Sequence, residues 1–149
     1  MIPKTIHYCW FGRGDLPVLA QKCISSWREY MPNCEIIEWN EDNFDINMIQ
    51  YTKDAYKNKK YAFVSDYATF YILQEHGGIY MDVDVELIKP LDDLLDDSKA
   101  ILGFERIGKV NPGLLCASEP NTVFLNDMLD IYKDLKFINN DGSLNLTTI

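Results

Sequence analysis

The chain has 149 residues, the usual size of one domain, and its 47% hydrophobic and 13% aromatic content suffices for a packed core. That excludes intrinsic disorder as a description of the whole. Fourteen Lys and Arg against 23 Asp and Glu leave a net charge of -9, so nucleic acid is not an expected partner. A phosphorylated small molecule can still bind such a chain if a cation stands between the two.

Thr5 to Phe11 is β-branched and aromatic and runs into Gly12-Arg13-Gly14, which predicts a first strand followed by a loop. Leu16, Leu19, Cys23, Ile24, Trp27 and Tyr30 recur at helical spacing, so a helix is predicted over 16–31, ended by Pro32. Glu35 to Trp39 reads as a second strand, and 46–57 and 62–75 as helices, the latter burying Phe63, Tyr67, Phe70 and Leu73. Gly77-Gly78 stops that helix, with Gly77 predicted in the left-handed position. Ile79-Tyr80-Met81 forms a short apolar strand that leads directly into Asp82-Val83-Asp84. Two further strands are predicted over 100–105 and 114–117, then a helix over 123–135. The tail from Phe137 turns polar and reads either as a loose terminus or as a chain cut before its next element. Strands alternating with helices imply an α/β fold with a largely parallel sheet and helices on both faces. Ligands in such sheets sit at the carboxyl ends of strands, where Asp82-Val83-Asp84 lies.

Cys9, Cys23, Cys34 and Cys116 form no C-x-x-C pair, so zinc chelation is unsupported and free thiols in a reducing compartment are expected. No signal peptide is recognised and no apolar run approaches the ~20 residues of a membrane helix, so the expected location is cytoplasmic, with room for peripheral association at the inner membrane face. His7 and His76 are read as structural, and no Gly-x-Ser-x-Gly elbow accompanies them.

Residues i and i+2 of a strand point to one side, so Asp82 and Asp84 can present two carboxylates to one cleft. Hard oxygen ligands of this kind suit Mg²⁺ or Mn²⁺, which leave coordination positions for water and phosphate oxygens. With 15 Asp in the chain, roughly one or two Asp-x-Asp triplets arise by chance, and solvated turn residues are the plain alternative. The apolar strand before the pair, and Val85 and Leu87 after it, favour the functional reading, because adjacent like charges at a strand end need a compensating cation.

Three blocks then carry a resemblance: residues 2–12 (IPKTIHYCWFG), 63–68 (FVSDYA) and 77–85 (GGIYMDVDV). In this order they resemble the DxD glycosyltransferases of family 32, including capsular polysaccharide synthesis enzymes, and more distantly the glucosyltransferase domains of large clostridial toxins. A weaker likeness continues through Asn111-Pro112-Gly113-Leu114. The resemblance implies a type A (Rossmann-like) nucleotide-sugar-binding fold and a metal-dependent, retaining transfer of a hexose from a nucleotide sugar to a hydroxyl of a glycan, in polysaccharide biosynthesis. It implies Mn²⁺ or Mg²⁺ as cofactor, a UDP-hexose ahead of GDP-mannose as donor, and a glycan or lipid-linked acceptor. Asp82 and Asp84 would be the catalytic pair, with Asp84 the direct metal ligand and Asp82 contacting both the ion and the donor. Asp66 would bind donor hydroxyls, Tyr80 would line the diphosphate or sugar pocket, and Trp10 would stack on the nucleobase. On general grounds Trp10 and Tyr80 can equally be core residues, and Asp66 can face solvent.

Two departures from the family pattern stand out. Thr69 occupies the position, three residues after Asp66, where many relatives carry Arg; Arg106 and Lys109 are candidate replacements. Relatives also continue well past this endpoint, so 1–149 is expected to be a single donor-binding domain, truncated at its C-terminus before the acceptor part. Two alternatives are a haloacid dehalogenase-like phosphohydrolase, in which the first Asp attacks phosphorus and the second is the general acid, and a non-catalytic nucleotide-binding fragment. The first leaves the Trp10 block without a purpose.

Overall fold

The structure, a computed structural model, describes residues 1–148. In its main sheet β1 (Thr5–Cys9), the β-branched and aromatic run, is flanked by parallel partners on both sides. On one side Thr5 to Cys9 pair with Glu35 to Trp39 of β2 (Glu35–Trp39); on the other, Ile6 and His7 pair with Ile79 and Tyr80 of β3 (Gly78–Tyr80). The connections are α1 (Val18–Tyr30), then α2 (Gln50–Lys57) and α3 (Tyr61–His76). This is the expected doubly covered α/β arrangement.

Beyond β3 the sheet differs from the largely parallel one expected. The next helix, α4 (Asp92–Leu95), has four residues, too few for a crossover that returns the chain for another parallel strand. β4 (Ala100–Leu102) and β7 (Cys116–Ser118) therefore pair antiparallel, and β7 pairs antiparallel with β3, giving the order β2-β1-β3-β7-β4. The single strand predicted over 100–105 is split at Gly103, which hydrogen-bonds Leu115 and Asn111 and packs against the Leu114 and Leu115 side chains. From there β5 (Phe104–Arg106) and β6 (Lys109–Val110) leave the sheet as a separate hairpin. Helix α5 (Val123–Asp134) closes the order, capped by the Thr122 hydroxyl on the Leu125 N–H.

Strand alternation divides the core between the two faces. Ile6, Tyr8, Ile79 and Ala117 face Ile24 and Trp27 of α1, Met31 just after it and Leu95 of α4. Cys9, Tyr80 and Cys116 face the other way, onto Val64, Ala68 and Leu73 of α3 and Leu125 and Tyr132 of α5. The polar tail is tied down: Phe137 is fully buried, with ring centroids 5.5 Å from Tyr51 and 5.4 Å from Phe63, and Ile138 bridges Leu144.

The turn into β3 brings backbones close. Gly77 has the positive φ expected, 64°, but its ψ of -169° is extended, not the left-handed helical value. Gly78, at φ 108°, lies where a Cβ would strike the Thr5 carbonyl and the His7 ring. His7 is structural. Its Nε2 donates to the Gly77 carbonyl at 2.9 Å, and its Nδ1 accepts from the Trp39 indole at 3.1 Å. Burial lowers its pKa to about 4, outweighing the bond to Gly77, and His76 nearby adds to the lowering.

Candidate active site

The site lies at the carboxyl ends of β1 and β3, where the parallel strands emerge side by side. After β3, Met81 still donates to the His7 carbonyl, and Asp82 donates its N–H to the Gly113 carbonyl at 2.7 Å. The chain then turns: the Val85 N–H returns to the Asp82 carbonyl at 3.0 Å. Asp82-Val83-Asp84 is thus a turn, not the strand continuation expected, because Asp82 is drawn out of the ladder onto the 111–113 loop.

The turn makes the two carboxylates unequal. Asp82 is half-buried, and its Oδ1 accepts from the Tyr80 hydroxyl at 3.2 Å. Burial pushes the Asp82 carboxyl up, the Tyr80 bond offsets part of that, and Asp84 adds to the rise. Its other oxygen lies over Gly113, where a Cβ would collide with it. Asp84 is exposed. Both carboxylates border a cavity of about 340 Å³ with Asn111 and Gly113.

Asp66 comes from α3 and shares two cavities with Asp82. One, of about 450 Å³, also includes Trp10, Gly12, Tyr61, Ser65 and Asp84. The other, of about 270 Å³, includes Thr69, Glu105, Lys109, Asn111 and Tyr132. Burial, then the charge of Asp82, pushes the Asp66 carboxyl up to about 6, and no hydrogen bond offsets the rise. Such a carboxylate, bordering open space without an internal donor, is suited to a ligand.

Trp10 is half-buried at the end of β1. Its backbone N–H reaches the Trp39 carbonyl, its indole donates to the Gly14 carbonyl at 2.7 Å, and its ring borders the 450 Å³ cavity. It is both a packing residue and an accessible platform. Tyr80 differs from expectation. At 1% exposure it borders none of these three cavities; it lies beneath the site and touches it only through its hydroxyl on Asp82. The structure therefore brings Trp10, Asp66, Asp82 and Asp84 around common cavities and makes Tyr80 their support.

Thr69 is buried and donates to the Ser65 carbonyl at 2.8 Å. Of the two candidate replacements for its missing charge, Lys109 reaches the 270 Å³ cavity, with its Nζ 3.3 Å from the Glu105 carboxylate; Arg106 borders none of the three. The carboxylates thus outnumber the cations around these cavities. Among the described residues no group of three or more His, Cys, Asp or Glu is placed to hold a metal. The oxygen donors of Asp82 and Asp84 fit Mg²⁺ or Mn²⁺ bound through one or two carboxylates, with water and a ligand's phosphates completing the shell.

Sequence reasoning gave no site role to Tyr61, Ser65, Glu105, Gly113, Tyr132 or Thr148, all of which border these cavities. For Tyr61 and Ser65 a signal existed, since they sit four residues apart on α3 and Ser65 adjoins Asp66. Glu105 and Thr148 arrive through the hairpin and the tail, for which no local pattern speaks.

Comparison with known proteins gives the family. The family model described as a glycosyltransferase sugar-binding region containing a DXD motif matches residues 17–101. This chain belongs to that glycosyltransferase family. Similar proteins include an uncharacterised glycosyltransferase of Acanthamoeba polyphaga mimivirus, 36% identical over 64% of this chain and 40% of its own length. Another is inositol phosphoceramide mannosyltransferase 1 of Schizosaccharomyces pombe, 29% identical over 83% of this chain and 40% of its own. The chain thus spans about two fifths of the length of these curated relatives. Among solved structures, the PaToxG glycosyltransferase shares the fold, with a TM-score of 0.66 at 19% identity over 87% of this chain and 59% of that one. Family membership replaces the phosphohydrolase alternative: this is a glycosyltransferase-family domain.

Proposed function

We propose that residues 1–149 form one domain that binds the nucleotide-sugar donor of a metal-dependent hexosyl transfer to a hydroxyl of a glycan or lipid-linked acceptor. The observation that carries this reading is the meeting of Asp66, Asp82 and Asp84 with the Trp10 ring around the 450 Å³ cavity. An aromatic platform at one part of a cavity and carboxylates at another match a nucleobase and a metal-bridged diphosphate. Asp84, exposed on its turn, is the direct metal ligand; Asp82, fixed by Tyr80 and Gly113, faces ion and donor; Asp66 accepts from donor hydroxyls. When bound, the divalent ion supplies charge neutralisation for the departing diphosphate.

In the transfer, the bond from the sugar's anomeric carbon to the diphosphate breaks, the acceptor oxygen bonds to that carbon on the same face, and the acceptor proton passes to the leaving phosphate. Retention of configuration rests on the family likeness. The chain's own residues orient the two partners and hold the sugar beside the leaving group. Relatives named as mannosyltransferases support sugar transfer; a UDP-hexose stands ahead of GDP-mannose as the proposed donor. The capsular pathway and the inner membrane face belong to this proposal too; no helix among the described residues is long and apolar enough to cross a membrane.

The test is calorimetric titration of UDP, then GDP, with and without Mn²⁺, on the wild type and Asp84→Asn. Binding that requires both Mn²⁺ and Asp84 is expected for one nucleotide. Unchanged Mn²⁺-dependent binding in Asp84→Asn would remove Asp84 from the metal site.

A further inference from the structure

One wall of the 450 Å³ cavity is the loop after β1, contributed by Gly12 and Gly14. This loop has an unfavourable backbone: Gly12 and Arg13 have φ of 98° and 61°. For arginine the left-handed region is unfavourable, because its Cβ crowds the following carbonyl. Gly12 also lies against Tyr61 so closely that a Cβ would enter the ring. Such a loop needs tethers, and it has three. The Trp10 indole donates to Gly14, the Arg13 guanidinium to Asp42 at 2.7 Å, and the Gly12 N–H donates to Glu41 Oε1 at 2.5 Å.

Glu41 is the unusual tether. Its side chain is only 8% exposed, and its Oε1 accepts a second bond, from the Tyr56 hydroxyl at 2.9 Å. Its Oε2 is buried without a hydrogen-bond partner, 3.9 Å from the Arg13 Nε. Burial opposes the ionised Glu41 side chain, but the bonds from Gly12 and Tyr56 and the charge of Arg13 outweigh it and hold its carboxyl below the usual range. The groups it engages are all at the cavity wall or one contact behind it: Gly12, Arg13, and Tyr56, whose ring centroid lies 5.3 Å from that of Tyr61. A carboxylate whose contacts all lie at a cavity wall or one contact behind it fixes the shape of that wall for what the cavity binds.

We propose that Glu41 is the positioning residue of the nucleoside half of the donor site, holding the Gly12–Gly14 loop and, through Tyr56, the Tyr61 ring in the shape that receives the nucleoside. This rests on the reading that the cavity takes the donor's nucleoside diphosphate. Glu41 bonds Gly12 and Tyr56 and pairs with Arg13, with no hydrogen bond or ion pair to the Asp82–Asp84 turn, so its influence is confined to nucleoside recognition and spares the diphosphate-metal end.

The experiment compares UDP, GDP and inorganic pyrophosphate, each with Mn²⁺, by calorimetry on the wild type, Glu41→Ala, Glu41→Gln and Tyr56→Phe. Glu41→Ala is expected to raise the nucleotide Kd about tenfold while moving the pyrophosphate Kd less than about twofold, because only the nucleoside loses its preformed wall. Glu41→Gln keeps the acceptor for Gly12 and Tyr56 and is expected to stay within about threefold of the wild type. Tyr56→Phe, a milder change that serves should the alanine variant unfold, is expected to weaken nucleotide alone by about threefold. Equal losses for nucleotide and pyrophosphate, or wild-type nucleotide affinity in both Glu41→Ala and Tyr56→Phe, would overturn the role of Glu41 and leave the donor reading intact. Wild-type protein that binds neither UDP nor GDP would overturn the donor reading and this inference with it.

Discussion

Asp66→Asn is expected to make the protein more stable at neutral pH while removing a donor contact. Burial and the charge of Asp82 raise the Asp66 pKa from 3.8 to about 6, so the folded state holds that proton more tightly than the unfolded chain. The stability associated with the proton is fully present below about pH 4 and is lost as pH rises through about 6. At neutral pH the ionised carboxylate is therefore a liability. At about 1.4 kcal/mol per pK unit the liability is about 3 kcal/mol. The carboxylate borders two open cavities, and water there screens about half, which leaves an expected gain of about 1.5 kcal/mol in Asp66→Asn. For a chain of this length that corresponds to a rise in Tm of about 3–6 °C. Urea denaturation of both proteins, without metal, at pH 4 and pH 7.5 measures it, and His7 and the other titrating groups cancel in the difference. The asparagine variant should be the more stable at pH 7.5 and close to the wild type at pH 4. A difference independent of pH, or a less stable variant at pH 7.5, would refute the account of Asp66 as an uncompensated carboxylate kept for a ligand.

Three further outcomes follow from the same geometry. Gly113→Ala should place a methyl group into the Asp82 carboxylate and weaken Mn²⁺-dependent nucleotide binding by about tenfold or more, with Tm little changed, since the clash is relieved by moving one side chain. Wild-type affinity there would show that Asp82 need not lie where Gly113 admits it. Tyr80→Phe removes only the hydroxyl that reaches Asp82 and should weaken the same binding by about threefold to tenfold, read by calorimetry. His7, with its pKa lowered to about 4, should favour the fold fully above about pH 6.5 and lose that contribution as pH falls toward 4, because the unfolded chain takes up the proton first. Nitrogen-15 NMR should find its Nε2–H neutral tautomer at pH 5.5, and an imidazolium signal at that pH would contradict the buried His7 seen between Gly77 and Trp39.

The parts of the fold legible in the sequence were those fixed by local pattern. Strand β2 was predicted with its observed bounds, α3 to within one residue at each end, and the apolar strand before the Asp pair was found one residue late. The errors arose where a nearby polar group or a distant chain segment took over. Helix α2 starts at Gln50, not 46, because the Asp45 side chain accepts from the Asn47 N–H and the Thr52 hydroxyl takes the Ile46 carbonyl, which holds 45–49 in turns. The antiparallel half of the sheet was invisible because strand direction depends on whether the connection can cross the sheet. Periodicity does not report that, and the four-residue α4 decides it.

The site was legible to the same depth, and its geometry shows why the remainder was not. In an extended strand Tyr80, Asp82 and Asp84 would project alike to one side, and the pocket role expected of Tyr80 came from the family resemblance, which period alone cannot test. The turn breaks that equivalence after Asp82. Tyr80 stays in the core, Asp82 is held between the Tyr80 hydroxyl and the space left by Gly113, and Asp84 is released to solvent. A residue more than thirty positions downstream, whose only distinguishing property is a missing side chain, thus sets how far the first carboxylate is buried. The resulting pair has one member fixed and desolvated and one free to follow a ligand. On the proposed reading, that asymmetry lets Asp82 hold a donor in place while Asp84 adjusts to an arriving ion, a division of labour that two strand carboxylates of equal burial would not provide.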